Sequence, residues 1–175
     1  MDETQMQHGV DWTGQDVSGW IGQEKYNGCR AYWDGSRMWS RGGLDIIIPE
    51  EMRSALPSFP LDGELYHPAK SPASISHIMR GQGNWDGVIF MAFDAPGKGS
   101  FTDRMTLLES LDSSPSLRIA HAFPINSTDE AISTMKKITW RKGEGIILRR
   151  PNHRYAPGRT DDILKMKPAL VVTHG

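Results

Sequence analysis

The sequence IGQEKYNGCRAYWDGSRMWSR, residues 21–41, carries the signals that decide the fold. Residues 21–25 and 29–33 have strand-type composition and flank the turn pair Asn27-Gly28. A second turn pair, Asp34-Gly35, leads into a third extended stretch. Short extended segments joined by tight turns predict antiparallel pairing.

The same alternation of apolar runs and turn signals continues along the chain. It predicts further strands at residues 61–67, 87–93, 117–120, 145–148 and 163–167. Helices are predicted at residues 49–55, 74–80, 103–111 and 127–140. Ser127 and Glu130 have the spacing of a capping box at the start of the last helix. Strands outnumber helices, so the sequence predicts an α+β domain with mostly antiparallel sheets and flanking helices.

Composition sets the class of protein. The 175 residues are enough for one domain with a real core. Cys29 is the one cysteine, so no internal disulfide can form and a reducing compartment is expected. Residues 1–18 look like a polar lead-in without a signal-peptide core, and no apolar run approaches the roughly 20 residues of a membrane helix. We therefore expect an intracellular protein with no membrane partner.

The charge is balanced overall but uneven along the chain. The net charge is -1, which does not mark a general nucleic-acid binder. Ten of the 20 Lys and Arg residues, however, lie between Lys136 and Lys167. Glu144, Asp161 and Asp162 alone oppose them there, so a local basic surface is expected.

Lys25 is the strongest candidate for a reactive side chain. A lysine is a nucleophile only when neutral, so its pKa must fall from about 10.4. Burial and the neighbouring cations Arg30, Lys165 and Lys167 could produce that fall. The alternative interpretation is an ordinary surface lysine beside a turn.

Two carboxylates and one aromatic residue lie at the ends of predicted buried strands. Glu64 and Glu144 suit contact with a sugar hydroxyl or with Mg²⁺. Phe93 suits a nucleobase platform, where stacking contributes roughly 1–3 kcal/mol. The alternatives are solvated strand ends for the carboxylates and a core position for Phe93.

Basic side chains near the C-terminal end suit phosphate groups. Lys165 and Lys167 alternate around Met166, so a strand would point both to one face, with a phosphate as the anion between them. Arg149, Arg150, Arg154 and Arg159 crowd one stretch and could contact polynucleotide phosphates. A solvated strand and a solvated surface are the respective alternatives.

Taken together, these clusters resemble the covalent nucleotidyltransferases, the superfamily of DNA ligases, RNA ligases and mRNA capping enzymes. Lys25 to Arg30 resembles the motif Lys-x-Asp-Gly-x-Arg. The stretches EKYNGCRAYWDG, SRGG, LDGELYHP and EGIILRRPNHRYAPGRTDDILKMK resemble small bacterial and phage ATP-dependent DNA ligases in particular. The resemblance covers about residues 20–168 and implies the ATP-grasp-like fold of a ligase adenylation domain.

The resemblance also implies roles for individual residues. The implied catalytic residues are Lys25, Lys165 and Lys167. The implied cofactor-binding residues are Gln23, Glu24, Arg30, Glu64, Phe93, Glu144, Lys165 and Lys167. Glu144 and Glu64 are the implied metal ligands, and the implied nucleic-acid contacts are Arg41, Arg149, Arg150, Arg154 and Arg159.

The implied activity is that of an ATP-dependent DNA ligase, active in DNA repair, replication or recombination. ATP would form a covalent lysine–AMP intermediate with Mg²⁺ as cofactor, and AMP would pass to the 5′-phosphate of a nick that the 3′-hydroxyl then seals. Nicked duplex DNA is the implied partner, with a separate OB-fold or clamp-like protein as another. A monomer in the cytoplasm of a bacterial or phage-infected cell is expected.

Two departures from the ligase pattern leave alternatives open. Asn27 stands where most DNA ligases have Asp. Asparagine keeps the shape of the aspartate side chain but lacks its negative charge. Ligases of this kind usually carry a C-terminal OB-fold, so we expect residues 19–168 to be the adenylation domain and residues 169–175 to be the first strand of an OB-fold that is otherwise absent. An RNA ligase of the same superfamily and a non-catalytic nucleotide- or DNA-binding module are the alternative functions.

Overall fold

Residues 5–174, the part of the chain that the computed structural model describes, form two β-sheets with helices packed against them. The first sheet has the strand order β1 (Gln7–Asp11), β11 (Gly158–Met166), β10 (Gly145–Arg149), β2 (Ile21–Lys25) and β9 (Ala122–Pro124). The second has the order β5 (Asp45–Ile46), β4 (Met38–Ser40), β3 (Cys29–Trp33), β6 (Leu61–Tyr66), β7 (Ile89–Asp94) and β8 (Leu117–Ile119). Neighbouring strands are antiparallel except in the pairs β1–β11 and β7–β8. The predicted α+β class with mostly antiparallel sheets is confirmed.

The described region contains five helices, of which the second, third and fourth begin after a serine whose side chain caps the helix. They are α1 (Glu50–Ala55), α2 (Pro72–Met79), α3 (Phe101–Glu109), α4 (Thr128–Trp140) and α5 (Pro168–His174). Ser127 caps α4 by accepting a hydrogen bond from the Glu130 backbone N–H, as the sequence predicts. The reciprocal capping box lies instead at α3, between Ser100 and Asp103.

Each sheet has its own apolar core. The first sheet packs against α4, whose Ala131, Met135 and Ile138 recur at helical spacing on one face. The second sheet packs against α1, α2 and α3 around Leu61 and Phe90. Burying one such large side chain contributes about 1.5–3 kcal/mol. Each core stabilises one sheet, and a cleft can form between the two sheets.

The turn at Asn27-Gly28 joins the two sheets. β2 pairs with β9 and β10 in the first sheet, whereas β3 pairs with β4 and β6 in the second. This turn therefore carries the chain from one sheet to the other. As the last residue of β2, Lys25 is positioned where the two sheets meet.

Residues 5–18 form part of the fold, whereas the sequence predicts only a polar lead-in at residues 1–18. Residues 1–4 lie outside the described residues, but Met6, Trp12 and Val17 are buried. β1 adds a parallel strand to the first sheet, with Val10 opposite Leu164. Sequence patterning missed this strand because its burial comes from pairing with a distant segment rather than from a local apolar run.

The predicted strand at residues 169–173 is wrong, because α5 spans Pro168–His174. Val171 and Val172 favour extended structure, but Pro168 at the first helical position favours a helix start. Val171 packs on the first apolar core, which supports the helix by tertiary contact. Gly175 lies outside the described residues.

Candidate active site

A cleft of about 520 Å³ lies between the two sheets. Its walls come from β1, β2, β10 and β11 of the first sheet and β3, β4, β6 and β7 of the second, together with residues beside them. Most of the sequence-predicted site residues line it: Gln23, Glu24, Lys25, Arg30, Arg41, Glu64, Phe93, Arg149, Arg159, Lys165 and Lys167. The fold therefore gathers residues from both halves of the sequence into one site.

Lys25, which lines this cleft, forms an ion pair with Glu144. Its Nζ lies 2.8 Å from Oε1 of Glu144, and Nζ of Lys167 lies 3.6 Å from the same oxygen. The register of β2 against β10 places Lys25 opposite Gly145, which explains the contact. Glu144 thus fixes the position of the Lys25 amine at the wall of the cleft.

Lys165 and Lys167 both face the cleft. Met166 between them is fully buried, so the strand alternation points the two lysines to the same side, as the sequence predicts. Nζ of Lys165 lies 3.7 Å from Oδ1 of Asp11 on β1. Two ammonium groups on one face suit an anionic group placed between them.

Glu64 and Glu144 have the chemistry of a magnesium site. Oε2 of Glu144 is buried and has no hydrogen-bond partner among the described residues. Glu64 is near enough for Glu144 to raise its pKa. Mg²⁺ binds through one or two carboxylates and takes its remaining ligands from water and substrate phosphates. The two residues fit that requirement, although residues 5–174 contain no cluster of three or more typical ligand side chains.

Burial raises the pKa of the Glu64 carboxyl to about 7. The Gly28 backbone N–H donates to its Oε2 at 3.1 Å, and this bond together with Lys25 and Arg30 opposes the rise. The carboxyl group therefore changes charge near neutral pH. A cation or a hydroxyl donor that entered the cleft would favour the carboxylate form.

The raised pKa predicts a pH-dependent stability difference between the wild type and Glu64→Gln. Folding holds the Glu64 proton more tightly than the unfolded chain does, so this group's contribution is fully present below its unfolded pKa and is lost as pH rises through about 7. The wild type should lose stability relative to Glu64→Gln between pH 5 and 8, as followed by urea unfolding. A difference that is constant across that range would contradict the assignment.

Arg30 belongs to a polar group that sequence reasoning did not assemble. Its guanidinium donates to both oxygens of Asp62 at 2.6 Å and to the Gln7 carbonyl at 2.7 Å. The Tyr155 hydroxyl donates to Asp62 at 2.7 Å and accepts from the Gln7 N–H at 3.1 Å. Asp62 precedes Glu64 by two residues in the stretch LDGELYHP, but the sequence does not indicate that Gln7 or Tyr155 contacts Arg30 or Asp62.

Phe93 lies against two guanidinium groups. The Cζ atoms of Arg30 and Arg149 are 5.2 and 5.0 Å from the ring centroid. Gln23 links β7 to β10, because its amide donates to the Phe93 carbonyl at 3.0 Å and accepts from Nε of Arg149 at 2.7 Å. Gln23 therefore holds Phe93 and Arg149 in place, and Phe93 keeps a partly exposed face in the cleft.

Arg149 is not on the surface. It is 4% exposed, and its Nη1 lies 3.7 Å from the buried Asp94 carboxylate. This burial leaves little of the guanidinium exposed for a polynucleotide phosphate, and the nucleic-acid contact predicted for Arg149 stays a prediction. The alternation of β10 turns Arg149 inward, whereas Arg150 just beyond the strand is exposed.

The other predicted nucleic-acid residues are exposed but differently placed. Arg41 and Arg159 line the cleft, and Arg154 lies on the loop before β11. Arg150 forms an ion pair with Asp162 at 2.8 Å and lies 4.5 Å over the Trp20 ring. The structure thus places Arg41 and Arg159 beside the cleft, while Arg150 has partners within the protein.

Gly28 is required by a close approach of the backbone. A Cβ atom at this position would lie 2.0 Å from the Leu65 carbonyl oxygen, which cannot move independently of β6. Gly28→Ala should lower the free energy of unfolding by about 1–3 kcal/mol, because the turn must shift and the bond to Glu64 is strained. Urea unfolding beside Gly97→Ala, where the nearest atom is 3.9 Å away, checks this. Equal stability of the two variants would contradict it.

Comparisons with known proteins match the chain to DNA ligases. The chain is 29% identical over 165 residues to a DNA ligase of Haemophilus influenzae, covering 90% of this chain and 61% of that protein. The structure of a Lig E DNA ligase has a TM-score of 0.84 at 26% identity and covers 93% of this chain and 68% of that one. Mycobacterial DNA ligase D, solved with ATP, has a TM-score of 0.66 at 26% identity, covering 93% and 60%. No protein-family model matches the chain.

Proposed function

We propose that this chain, an adenylation domain of the ATP-dependent DNA ligase type, binds AMP covalently at Lys25 and uses it to seal nicks in DNA. The observation that carries the proposal is the position of the Lys25 amine, fixed by Glu144 in a cleft that Lys165 and Lys167 also face. The relatives support it, although the chain spans 61% of the H. influenzae protein. The activity of the complete ligase is therefore part of this proposal.

In the first step the neutral Lys25 amine attacks the α-phosphorus of ATP. An N–P bond forms, the bond from that phosphorus to the bridging oxygen breaks, and pyrophosphate leaves with the electron pair while the nitrogen releases a proton to water. Lys165 and Lys167 offset the negative charge that builds up on the α-phosphate. Glu144 must give up its hydrogen bond with Lys25 as the amine becomes nucleophilic.

The remaining residues would orient the nucleotide. We assign adenine to the partly exposed face of Phe93, and the ribose to Glu64 with Arg30. Glu144 and Glu64 would hold Mg²⁺, which when bound supplies positive charge beside the phosphates. Gln23 acts indirectly by fixing Phe93, and Glu24 contributes to the cleft wall.

The second and third steps use DNA. The 5′-phosphate of a nick attacks the phosphorus of the lysine–AMP adduct, the N–P bond breaks, and AMP is joined to the DNA. The 3′-hydroxyl then attacks that 5′-phosphate, a phosphodiester bond forms and AMP leaves. Arg41 and Arg159, exposed beside the cleft, and Arg154 on the nearby loop are the proposed phosphate contacts. A separate OB-fold or clamp-like protein is a proposed partner of a monomeric domain.

Incubation with α-labelled ATP and Mg²⁺, followed by a denaturing gel, tests the first step. Label should stay on the protein and be released by added pyrophosphate, because the reaction is reversible. Mass spectrometry of untreated protein identifies chains that already carry AMP and so cannot take up label. A chain that is neither labelled nor already adenylated would contradict the proposal. Nicked duplexes with all-DNA or RNA-containing strands then separate a DNA ligase from an RNA ligase.

A further inference from the structure

A cluster of basic residues surrounds an exposed tryptophan at the end of α4. We define the Trp140 patch as Lys136, Lys137, Trp140, Arg141 and Lys142. Trp140 is 89% exposed, and the four cations beside it are exposed too. Residues 131–143 contain no acidic side chain, so the positive charge of this stretch is not offset within it.

The patch occupies the side of α4 that the core does not use. Ala131, Met135 and Ile138 face the first sheet, whereas Lys136 and Trp140 lie four residues apart on another face. An open groove runs along this face, lined also by Asp129, Ile132 and Ser133. Trp140 and the lysines of this face are therefore not part of the apolar core.

The patch adjoins the active-site cleft. Arg141 is close enough to the Tyr26 hydroxyl to act on it electrostatically, and Tyr26 lines the cleft next to Lys25. Behind this path, the turn at Gly143 packs against Glu24, whose Oε1 lies 2.9 Å from where a Cβ of Gly143 would be. A ligand that covers the cleft at Tyr26 can thus extend onto α4.

We propose that the Trp140 patch binds one arm of the nicked DNA duplex while the nick lies over Lys25. Lys136, Lys137 and Arg141 contact backbone phosphates, and Trp140 packs against the sugars or against a base exposed by fraying. Four exposed cations, an exposed aromatic ring and a position next to the cleft together fit a polynucleotide. The inference rests on the proposed ligase function, because it assigns the substrate's path across the surface.

The test measures binding of a nicked duplex whose 3′ end is a dideoxynucleotide, so that sealing cannot occur. Lys137→Ala/Arg141→Ala should weaken binding about tenfold at low salt and reduce the slope of log K against log salt by about 1.8. Trp140→Ala should weaken binding about fivefold and leave the slope unchanged. Arg118→Ala, which removes an exposed cation from the edge strand β8, is the matched control and should leave both unchanged.

Shortening the duplex arms in turn locates the contact. In the wild type, shortening one arm should weaken binding, and in the double variant the same change should have no further effect. Equal binding by wild type and patch variants, or no effect of shortening either arm, overturns the inference. Labelling by α-labelled ATP should be the same in all variants. Absence of label from a wild type that does not already carry AMP would refute the proposed function, whereas normal labelling with unchanged DNA binding would refute this inference alone.

Discussion

Lys25→Ala is expected to abolish transfer of label from α-labelled ATP to the protein, by at least about a thousandfold. The lysine nitrogen is the proposed attacking atom, and alanine offers no replacement. Lys25→Arg should be equally inactive, because a guanidinium keeps the charge beside Glu144 but does not lose its proton. A denaturing gel with acid and alkali treatment measures the result, since a phosphoramidate is released by acid and survives alkali.

The control for this prediction is a check that the Lys25→Ala variant still folds. Lys25 is 21% exposed and its partner Glu144 keeps Lys167 at 3.6 Å, so alanine at position 25 should leave the fold intact. The unfolding midpoint in urea should confirm that, and Lys98→Ala in an exposed loop should label like the wild type. Label retained by Lys25→Ala would show that another residue is the nucleophile and would refute the proposed chemistry.

Asp94→Asn is expected to lower the free energy of unfolding by about 3–5 kcal/mol. Asp94 is fully buried and accepts two hydrogen bonds from the Arg104 guanidinium at 2.8 and 3.2 Å. Nη1 of Arg149 lies 3.7 Å from Oδ2 of the same carboxylate. Removal of the negative charge leaves two buried guanidinium groups without their shared counter-ion.

Asp162→Asn is the matched control for the buried pair. Asp162 pairs with Arg150 at the same 2.8 Å, but both side chains are more than a third exposed. Its loss should change the free energy of unfolding by less than about 1 kcal/mol. Urea unfolding measures both variants. A large loss at Asp94 and a small loss at Asp162, with the same dependence of the unfolding free energy on urea concentration, would identify burial as the cause. Similar losses at the two positions would contradict that explanation.

Local patterning predicted most of the elements. The strands flanking Asn27-Gly28 and the helix after Ser127 lie where their composition places them. Strand β1 and helix α5 were missed or mistaken because pairing with β11 and packing of Val171 outweigh the local preference.

The candidate site was predicted in part. The sequence identified Lys25, Glu64, Phe93, Lys165 and Lys167, and the fold brings them to one cleft. Their catalytic roles remain predictions. The sequence did not identify Gln7 and Tyr155 as partners of Arg30, nor the inward orientation of Arg149.

The sequence by itself determined the local elements and the inventory of chemical groups. Turn residues, apolar alternation and the spacing of charged residues act over a few positions, so one chain segment is enough to read them. The tertiary structure alone decided that the Asn27-Gly28 turn crosses between sheets and that Lys25 pairs with Glu144, 119 residues away. Charge partners and burial arise from contacts between distant segments, and these exist only after the strands have paired and the two cores have closed.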